Sequence, residues 1–501
     1  MKILTAEQLR ALDKHTIANE PISSIDLMER AASKYTEAVS GFIKKEQQVV
    51  VFCGMGNNGG DGLAIARMLL QNGYKVKVYI VKHSLKGSTD FETNEKRLRE
   101  LTQLEYIDNV KVVPELKSQE ICVDAIFGNG LTKATEGVAA AVIRSINKSG
   151  ATIYSVDVPS GMYCDKANAD SDTVVQSTIT FTFHSPKLTF LFPQNEKFVP
   201  EFKVLDIGLS KQFEAQIASP YEYVEDTLIK SLSKKRKKFG HKGTYGHALI
   251  CAGGYGKMGS AILSVGAALR SGAGLITAQV PKCGYEFMQI TNPEAMVLVD
   301  SNEMFIAESP DYTQFSAIGI GPGIGTGTAT GELIERLLRR TQLPIPLVMD
   351  ADALNILAKY RPLKSLLTQR MIITPHPGEF KRLMGEWKDD MQRLQKQIEL
   401  SKQQKCVVVL KGAYTSISTA DGKVYFNTTG NPGMAKGGSG DVLTGVITSL
   451  LAQGYTGDAA ALIGVYVQGM AGDNAAASLG QTGITARDII HYLPGAFKAF
   501  E

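Results

Sequence analysis

At 501 residues the chain is too long for one ordinary hydrophobic core, so more than one domain is expected. Its 44% hydrophobic and 21% charged content is that of a globular protein, and a formal charge of +4 gives no reason to expect a nucleic-acid partner. The start, MKILTAEQLRALDKHT, carries Lys2, Glu7 and Asp13 where a signal peptide would be apolar, and no uncharged apolar run reaches membrane-spanning length. A cytoplasmic protein without membrane contact is expected. The six cysteines show no metal or disulfide spacing; Cys53, Cys122, Cys251 and Cys406 lie in or beside apolar runs, as reduced core thiols do.

In chain order, the runs QQVVVFC, KVKVYIV, ICVDAIF, ATIYSVDV and STITFTF alternate with amphipathic stretches such as NEKRLRELTQLE and GVAAAVIRSINKSG. This is the pattern of a parallel sheet flanked by helices. It stops after KVLDIGLS, and a polar stretch follows. A second series then runs through HALICAGG, LITAQVP, SAIGIGPG, PLVMDADALN, MIITPHPG and CVVVLKG to a hairpin, TSISTADGKVYF, turning at Asp421-Gly422. The boundary falls near residues 212 to 225, giving domains 1–215 and 225–501. The basic run Lys234 to Lys238 between them reads as a solvated connection, although an acidic ligand nearby would also account for it.

The first glycine cluster, GMGNNGGDGLAIAR, fits G-x-G-x-x-G at Gly54, Gly56 and Gly59, between a strand and a helix. A hydride-transfer dehydrogenase needs an acidic residue closing the next strand, but YKVKVYIVKHS ends in Lys82, His83 and Ser84. The loop also adds Asn57, Asn58 and Asp61, and a carboxylate in the first helical turn would repel a phosphate placed there. A helix-capping cluster is the alternative reading. Asp124 and Asp157, the latter before a Pro-Ser-Gly turn containing Ser160, stand at other strand ends. In a parallel sheet those ends share one edge. Any metal held by such oxygen donors would be a hard cation. Each residue taken alone also fits a plain turn.

In the second half, NPGMAKGGSGDVLTG brings Gly437, Gly438 and Gly440 into a helix start, an anion hole of backbone amides. Asp441, beside that hole, suits a base next to a transferred phosphoryl group, its carboxylate kept ionised by the amides. No Lys-Ser or Lys-Thr follows the glycines, so the Walker pattern is absent. LKGAYTSIS offers a nucleotide contact at a strand end. In TPHPGEF, His376 and Glu379 are either substrate and metal-water contacts or turn residues.

These segments carry a resemblance over essentially the whole chain. HKGTYGHALICAGGYGKMGSAILSVGAALRSGAGL, DADALN, TPHPGEF, LKG and NPGMAKGGSGDVLTG resemble the ADP/ATP-dependent NAD(P)H-hydrate dehydratase family. GNNGGDGLAIAR, DAIFGNGL, VDVPSG and TFTFHSPKLTF resemble the NAD(P)H-hydrate epimerase family, and the fused pair resembles bifunctional repair enzymes. The resemblance implies an α/β chain of two domains: a Rossmann-like three-layer α/β/α domain, then a ribokinase-like one. It implies substrates NADHX and NADPHX, hydrated at C6 of the nicotinamide ring, with ADP or ATP and Mg²⁺ in the second domain.

Residue by residue, it implies epimerase contacts from Asn57, Asn58, Gly59, Gly60 and Asp61. Further contacts would come from Gly128, Asn129, Gly130, Leu131, Thr132, Lys133 and Ala134, and from Asp157, which is also the candidate acid/base. Asn129 stands where the family commonly has Thr. Asn58, Asp124 and Ser160 would hold K⁺. In the second domain Ala261, Gly323, His376 and Asp441 would meet the hydrate, and Lys411, Gly412, Ala413, Tyr414, Thr415 and Gly440 the nucleotide. A homo-oligomer is expected. The rival readings are a ribokinase-type small-molecule kinase with an accessory first domain, and a non-catalytic nucleotide sensor.

Overall fold

The structure is a computed structural model and describes residues 1–340 and 345–501. The chain forms two compact units, Met1–Ser219 with Asp389–Met391, and Pro220–Lys388 with Gln392–Glu501.

The first unit is a seven-stranded sheet with all neighbours parallel, in the order β3-β2-β1-β4-β5-β6-β7. The strands are β1 (Gln48–Cys53), β2 (Lys75–Val81), β3 (Leu104–Ile107), β4 (Ile121–Ala125), β5 (Thr152–Val156), β6 (Ile179–Phe183) and β7 (Phe202–Leu205). Successive side chains leave a strand on opposite faces. Val49, Val51 and Cys53 therefore pack with Ala32, Tyr35 and Leu63 of the helices Ser24–Ser40 and Asn57–Gln71. Val50 and Phe52 turn the other way, against Val142, Ile143 and Ile146 of the helix Gly137–Lys148. Both faces are covered, which is why these strands read as continuous apolar runs. Strand order reverses between β1 and β4, so a crevice opens beyond their carboxyl ends.

The glycines explain that crevice. A Cβ on Gly54 would lie 2.0 Å from the Ile126 carbonyl, one on Gly59 1.9 Å from the Gly54 carbonyl, and one on Gly62 2.5 Å from the Ala125 Cβ. These three let the helix Asn57–Gln71 press onto the sheet. Gly56, its N-cap, faces open space and makes no side-chain cap, so the first helical amides are left for a ligand.

The second unit is a ten-stranded sheet in the order β11-β10-β9-β12-β13-β14-β15-β16-β17-β8. Its strands are β8 (Tyr221–Tyr223), β9 (His247–Cys251), β10 (Leu275–Val280), β11 (Met296–Val299), β12 (Ala317–Ile320), β13 (Leu347–Met349), β14 (Met371–Ile373), β15 (Val407–Leu410), β16 (Ser416–Ser418) and β17 (Val424–Phe426). From β11 to β15 the neighbours are parallel; β16 and β17 form the expected hairpin, with Gly422 at φ +88° in its turn. β8 pairs parallel with β17, although the sequence reads as connector there. A three-residue strand is too short to show a period of two. The basic run is tied down as well: Lys234 Nζ donates to the Gly454 carbonyl at 2.7 Å, and the Arg236 guanidinium lies 4.1 Å over the Tyr245 ring.

The helix Ser439–Ala452 is buried on nearly every side from Val442 onward, so its apolar composition has no polar stripe. Gly445 allows this, since a Cβ there would lie 2.0 Å from the Ser264 carbonyl of the helix Met258–Leu269. That close packing fixes the start of the helix, where Asp441 sits.

Candidate functional sites at two sheet edges

In the first unit a cavity of about 730 Å³ lies over the crevice. Asn57, Asn58, Asp61, the loop Gly128 to Lys133 and Asp157 all line it, so the sequence candidates do converge. Gly59 and Gly60 are buried in the helix beneath, and Ala134 is not in the lining. Asp157 follows β5 at φ +62° and His184 follows β6 at φ +65°, a region that non-glycine residues enter at a cost. Both line the cavity.

Sequence reasoning missed Lys187, Asp13 and Arg10. Lys187 lies in the quoted stretch TFTFHSPKLTF; the other two are on the helix Ala6–Asn19, ahead of the strand-helix pattern. The Lys187 ammonium is 2.9 Å from Asp157 Oδ1, with side chains 1% and 7% exposed. Asp157 Oδ1 also accepts from the Thr182 hydroxyl at 3.2 Å and the Phe183 amide at 3.1 Å. Lys187 donates to the carbonyls of Phe183 and Ser185, each at 3.1 Å. A buried ion pair is tolerated when its remaining donors and acceptors are met in this way. Burial first, then Asp157, pushes the Asp13 carboxyl up to about 6, with Lys187 opposing. Asp61 is held well above the usual carboxylate range, by desolvation first and then by Asp157 and Asp13.

Asp124 and Ser160 are fully buried and are not in the cavity lining. Asp124 stands opposite Ser155 in the β4–β5 register, and the Ser155 hydroxyl donates to its Oδ2 at 2.9 Å. The Ser160 amide donates to the same oxygen at 2.8 Å. Desolvation raises the Asp124 carboxyl, against those hydrogen bonds. Asn58 comes down onto the Gly128 turn, where a Cβ would be 2.9 Å from its Oδ1; its buried Nδ2 has no hydrogen-bond partner. The Asn58, Asp124 and Ser160 side chains offer oxygen donors, which suit a hard cation. Among the described residues no three His, Cys, Asp or Glu side chains cluster to hold a metal ion.

In the second unit, Asp350 after β13, His376 after β14 and Lys411 after β15 stand at neighbouring strand ends. Lys411 Nζ is 2.8 Å from Asp350 Oδ1 and 3.9 Å from Glu379 Oε2; Thr444 donates to Asp350 Oδ2 at 3.0 Å. Asp350, missed from sequence, is thus the anchor that holds Lys411, and the next residue, Ala351, sits at φ +48°. A Cβ on Gly440 would be 3.3 Å from Lys411 Nζ, which places the glycine turn beside this cluster. Gly438 caps the helix at φ +96°. Gly412 and Ala413 are exposed at the β15–β16 turn, with Thr415 accepting from the Gly412 amide at 3.2 Å.

Asp441 differs from expectation. Desolvation outweighs the hydrogen bond from Ser260, and with Asp350 as a further raising influence its carboxyl moves up to about 6. His376 and Glu379 form a capping box on the helix Pro377–Met384, with the His376 amide donating to Glu379 Oε2 at 2.8 Å. The His376 ring is half exposed beside Glu379, at 3.3 Å. Ala261 is buried, within 3.0 Å of a Cβ placed on Gly253, and Gly323 at φ +71° would meet Lys257 and Ser260 with a Cβ.

The chain is similar to known proteins over both halves. Residues 248–495 match the model of the NAD(P)H-hydrate dehydratase family, and residues 24–189 that of the YjeF-related protein N-terminus. A bifunctional NAD(P)H-hydrate repair enzyme of Moorella thermoacetica is 35% identical over 100% of this chain and 97% of its own. One of Coxiella burnetii is 34% identical over 97% of each chain. A ribokinase-like superfamily protein of Enterococcus faecalis, 25% identical, superposes with a TM-score of 0.50 on 57% of this chain and 98% of its own. A two-unit chain with parallel sheets, matching both families in order and these relatives end to end, belongs to the bifunctional NAD(P)H-hydrate repair enzyme family.

Proposed function

We propose that residues 1–215 interconvert the R and S epimers of NAD(P)HX at C6, and that residues 225–501 dehydrate the S epimer using ADP or ATP. The observation that carries this reading is the pairing of two strand-end sites of different chemistry. One is a large cavity holding an Asp-Lys ion pair and raised carboxyls; the other is a glycine-turned helix start with a base and a lysine.

In the second site Asp441 takes the proton of the C6 hydroxyl as it attacks the terminal phosphoryl group. The Gly437 to Gly440 amides and Lys411 meet the charge developing there. The phosphorylated hydroxyl is a good leaving group, and its elimination restores the dihydropyridine. Ala261, Gly323 and His376 would orient the hydrate, and Lys411 to Thr415 with Gly440 the nucleotide. Mg²⁺ would arrive on the nucleotide with its waters and offset phosphate charge; Asp350 and Glu379 are hard oxygen donors of the kind that suit it. An ordinary small-molecule kinase would share this half but leaves the first cavity without work.

In the first site Asn57, Asn58, Asp61 and the loop Gly128 to Lys133 would hold the dinucleotide, with Asp157 toward its nicotinamide. K⁺ would be held by Asn58, Asp124 and Ser160 and would neutralise charge under the glycine loop. A homo-oligomer belongs to the same reading; edge strand β11, with half-exposed Met296 and Val299, offers a surface for it. So does a cytoplasmic location, which suits six free thiols. Among the described residues no helix is long and apolar enough to cross a membrane.

Pure R epimer incubated without nucleotide should yield S epimer, measured by chromatography, at a rate that rises with K⁺. Asp124→Ala should lower that rate and its K⁺ response while ADP-dependent dehydration of pure S epimer stays intact. Equal loss of both activities would assign Asp124 to folding alone, and no conversion by the unaltered chain would remove the epimerase from the reading.

A further inference from the structure

We propose that Asp13, on the helix Ala6–Asn19, is the proton donor of the first site and works opposite Asp157 as a carboxyl pair. This rests on the epimerase reading. Asp13 lies outside the matched segment 24–189 yet lines the cavity together with Asp61, Asp157 and Lys187. These three carboxyls and this ammonium line one space, so their roles must differ.

Their partners separate them. Asp157 is spoken for: Lys187, Thr182 and the Phe183 amide all donate to its Oδ1, which makes it the carboxylate of an ion pair. The Asp13 carboxyl makes no side-chain hydrogen bond among the described residues, and it faces the cavity. Its charged surroundings are mixed: Arg10 and Lys14 on its own helix, and in the same lining Asp61, Asp157, Lys187 and His184. Asp90, Lys133 and His83 complete the titratable lining. Burial first, and then the negative neighbours Asp157, Asp13, Asp90 and Glu29, hold the Asp61 carboxyl well above the usual carboxylate range, with no cation among its influences. Asp13 has Lys187 to offset Asp157 and titrates near 6, where a carboxyl both gives and regains a proton at working pH.

The chemistry needs such a pair. The C6–O bond breaks as the N1 lone pair forms a C=N bond, and the oxygen leaves as water with the Asp13 proton. Water then adds to the opposite face of C6 and gives its proton to Asp157. Exchange with solvent restores the starting protonation of both carboxyls.

Asp13→Asn in the full chain should lower kcat for R-to-S conversion by about 10²- to 10⁴-fold. The affinity for the hydrate, measured by calorimetry, should stay within about threefold, and Asp13→Glu should recover part of the rate. In the unaltered protein the rate should fall as pH rises above about 6, following the protonated form of Asp13. The residual rate of Asp13→Asn should lose that limb. If the unaltered chain does not epimerise pure R hydrate, the epimerase reading and this inference fall together. If it does and Asp13→Asn keeps more than about a tenth of the rate, the inference alone falls. The inference also falls if affinity drops in step with rate and Asp13→Glu restores neither, because Asp13 is then structural.

Discussion

Asp441→Asn should reduce ADP-dependent dehydration of the S epimer by about 10²- to 10⁴-fold, the usual worth of a positioned base. The substitution keeps the shape at the helix start. The hydrogen bond from the Ser264 hydroxyl to the Asp441 backbone carbonyl, at 2.9 Å, is untouched, and so is Lys411 on Asp350. Nucleotide affinity should therefore change little, and epimerisation in the other unit not at all. The pH dependence fixes the role. A base must be ionised, and burial lifts the Asp441 carboxyl to about 6. Dehydration should be full well above pH 6 and fall on the acid side, to about a tenth one unit below, with a slope of one proton. Asp441→Asn should lack this limb. If the variant retained more than about a tenth of the turnover, Asp441 would be a helix-start residue without a chemical part.

Lys187→Met should be the most damaging substitution in the first unit. It leaves the Asp157 carboxylate, 7% exposed, without the ammonium 2.9 Å away. Removing one partner of a buried pair costs about 3–5 kcal/mol. The first unit should melt earlier, and R-to-S conversion should be lost, while dehydration of pure S epimer persists. Pairing it with Asp157→Leu should recover most of the stability, since two apolar groups replace two charges, but none of the epimerisation. A single Lys187→Met variant as stable as the unaltered chain would show the pair to be solvated and the cavity more open than its geometry indicates.

Much of this was legible in the sequence, for identifiable reasons. Apolar runs of strand length fixed the order of most strands, and the strand-end rule brought Asn58, Asp61 and Asp157 to one cavity from far apart. The glycine cluster was legible as a turn between a strand and a helix, while the lack of room for any Cβ on Gly54 and Gly59 appears only in the packed structure. What escaped was whatever depends on tertiary partners. Nothing local marks Lys187 as buried; it becomes so only when Asp157 arrives from β5 and the Phe183 and Ser185 carbonyls from β6 and its exit. Asp350 looks like a strand-end turn residue until Lys411 and Thr444 converge on it. Asp13 was hidden because its helix precedes the first strand, outside the repeating pattern. The upward pull on the Asp441 carboxyl was not legible because amide stabilisation can be read from GGSGD, whereas the desolvation that lifts it to about 6 comes from packing.

The most direct test is the absorbance of the reduced nicotinamide band on mixing the protein with an equilibrium mixture of R and S NADHX, K⁺, Mg²⁺ and ADP. Absorbance should stay flat without ADP. With it, absorbance should rise to the full amount of hydrate supplied, because epimerisation feeds the R form into dehydration. A stable phosphorylated hydrate with no rise would make the second unit an ordinary kinase. A rise that stops at the S fraction would leave the first unit without its epimerase activity.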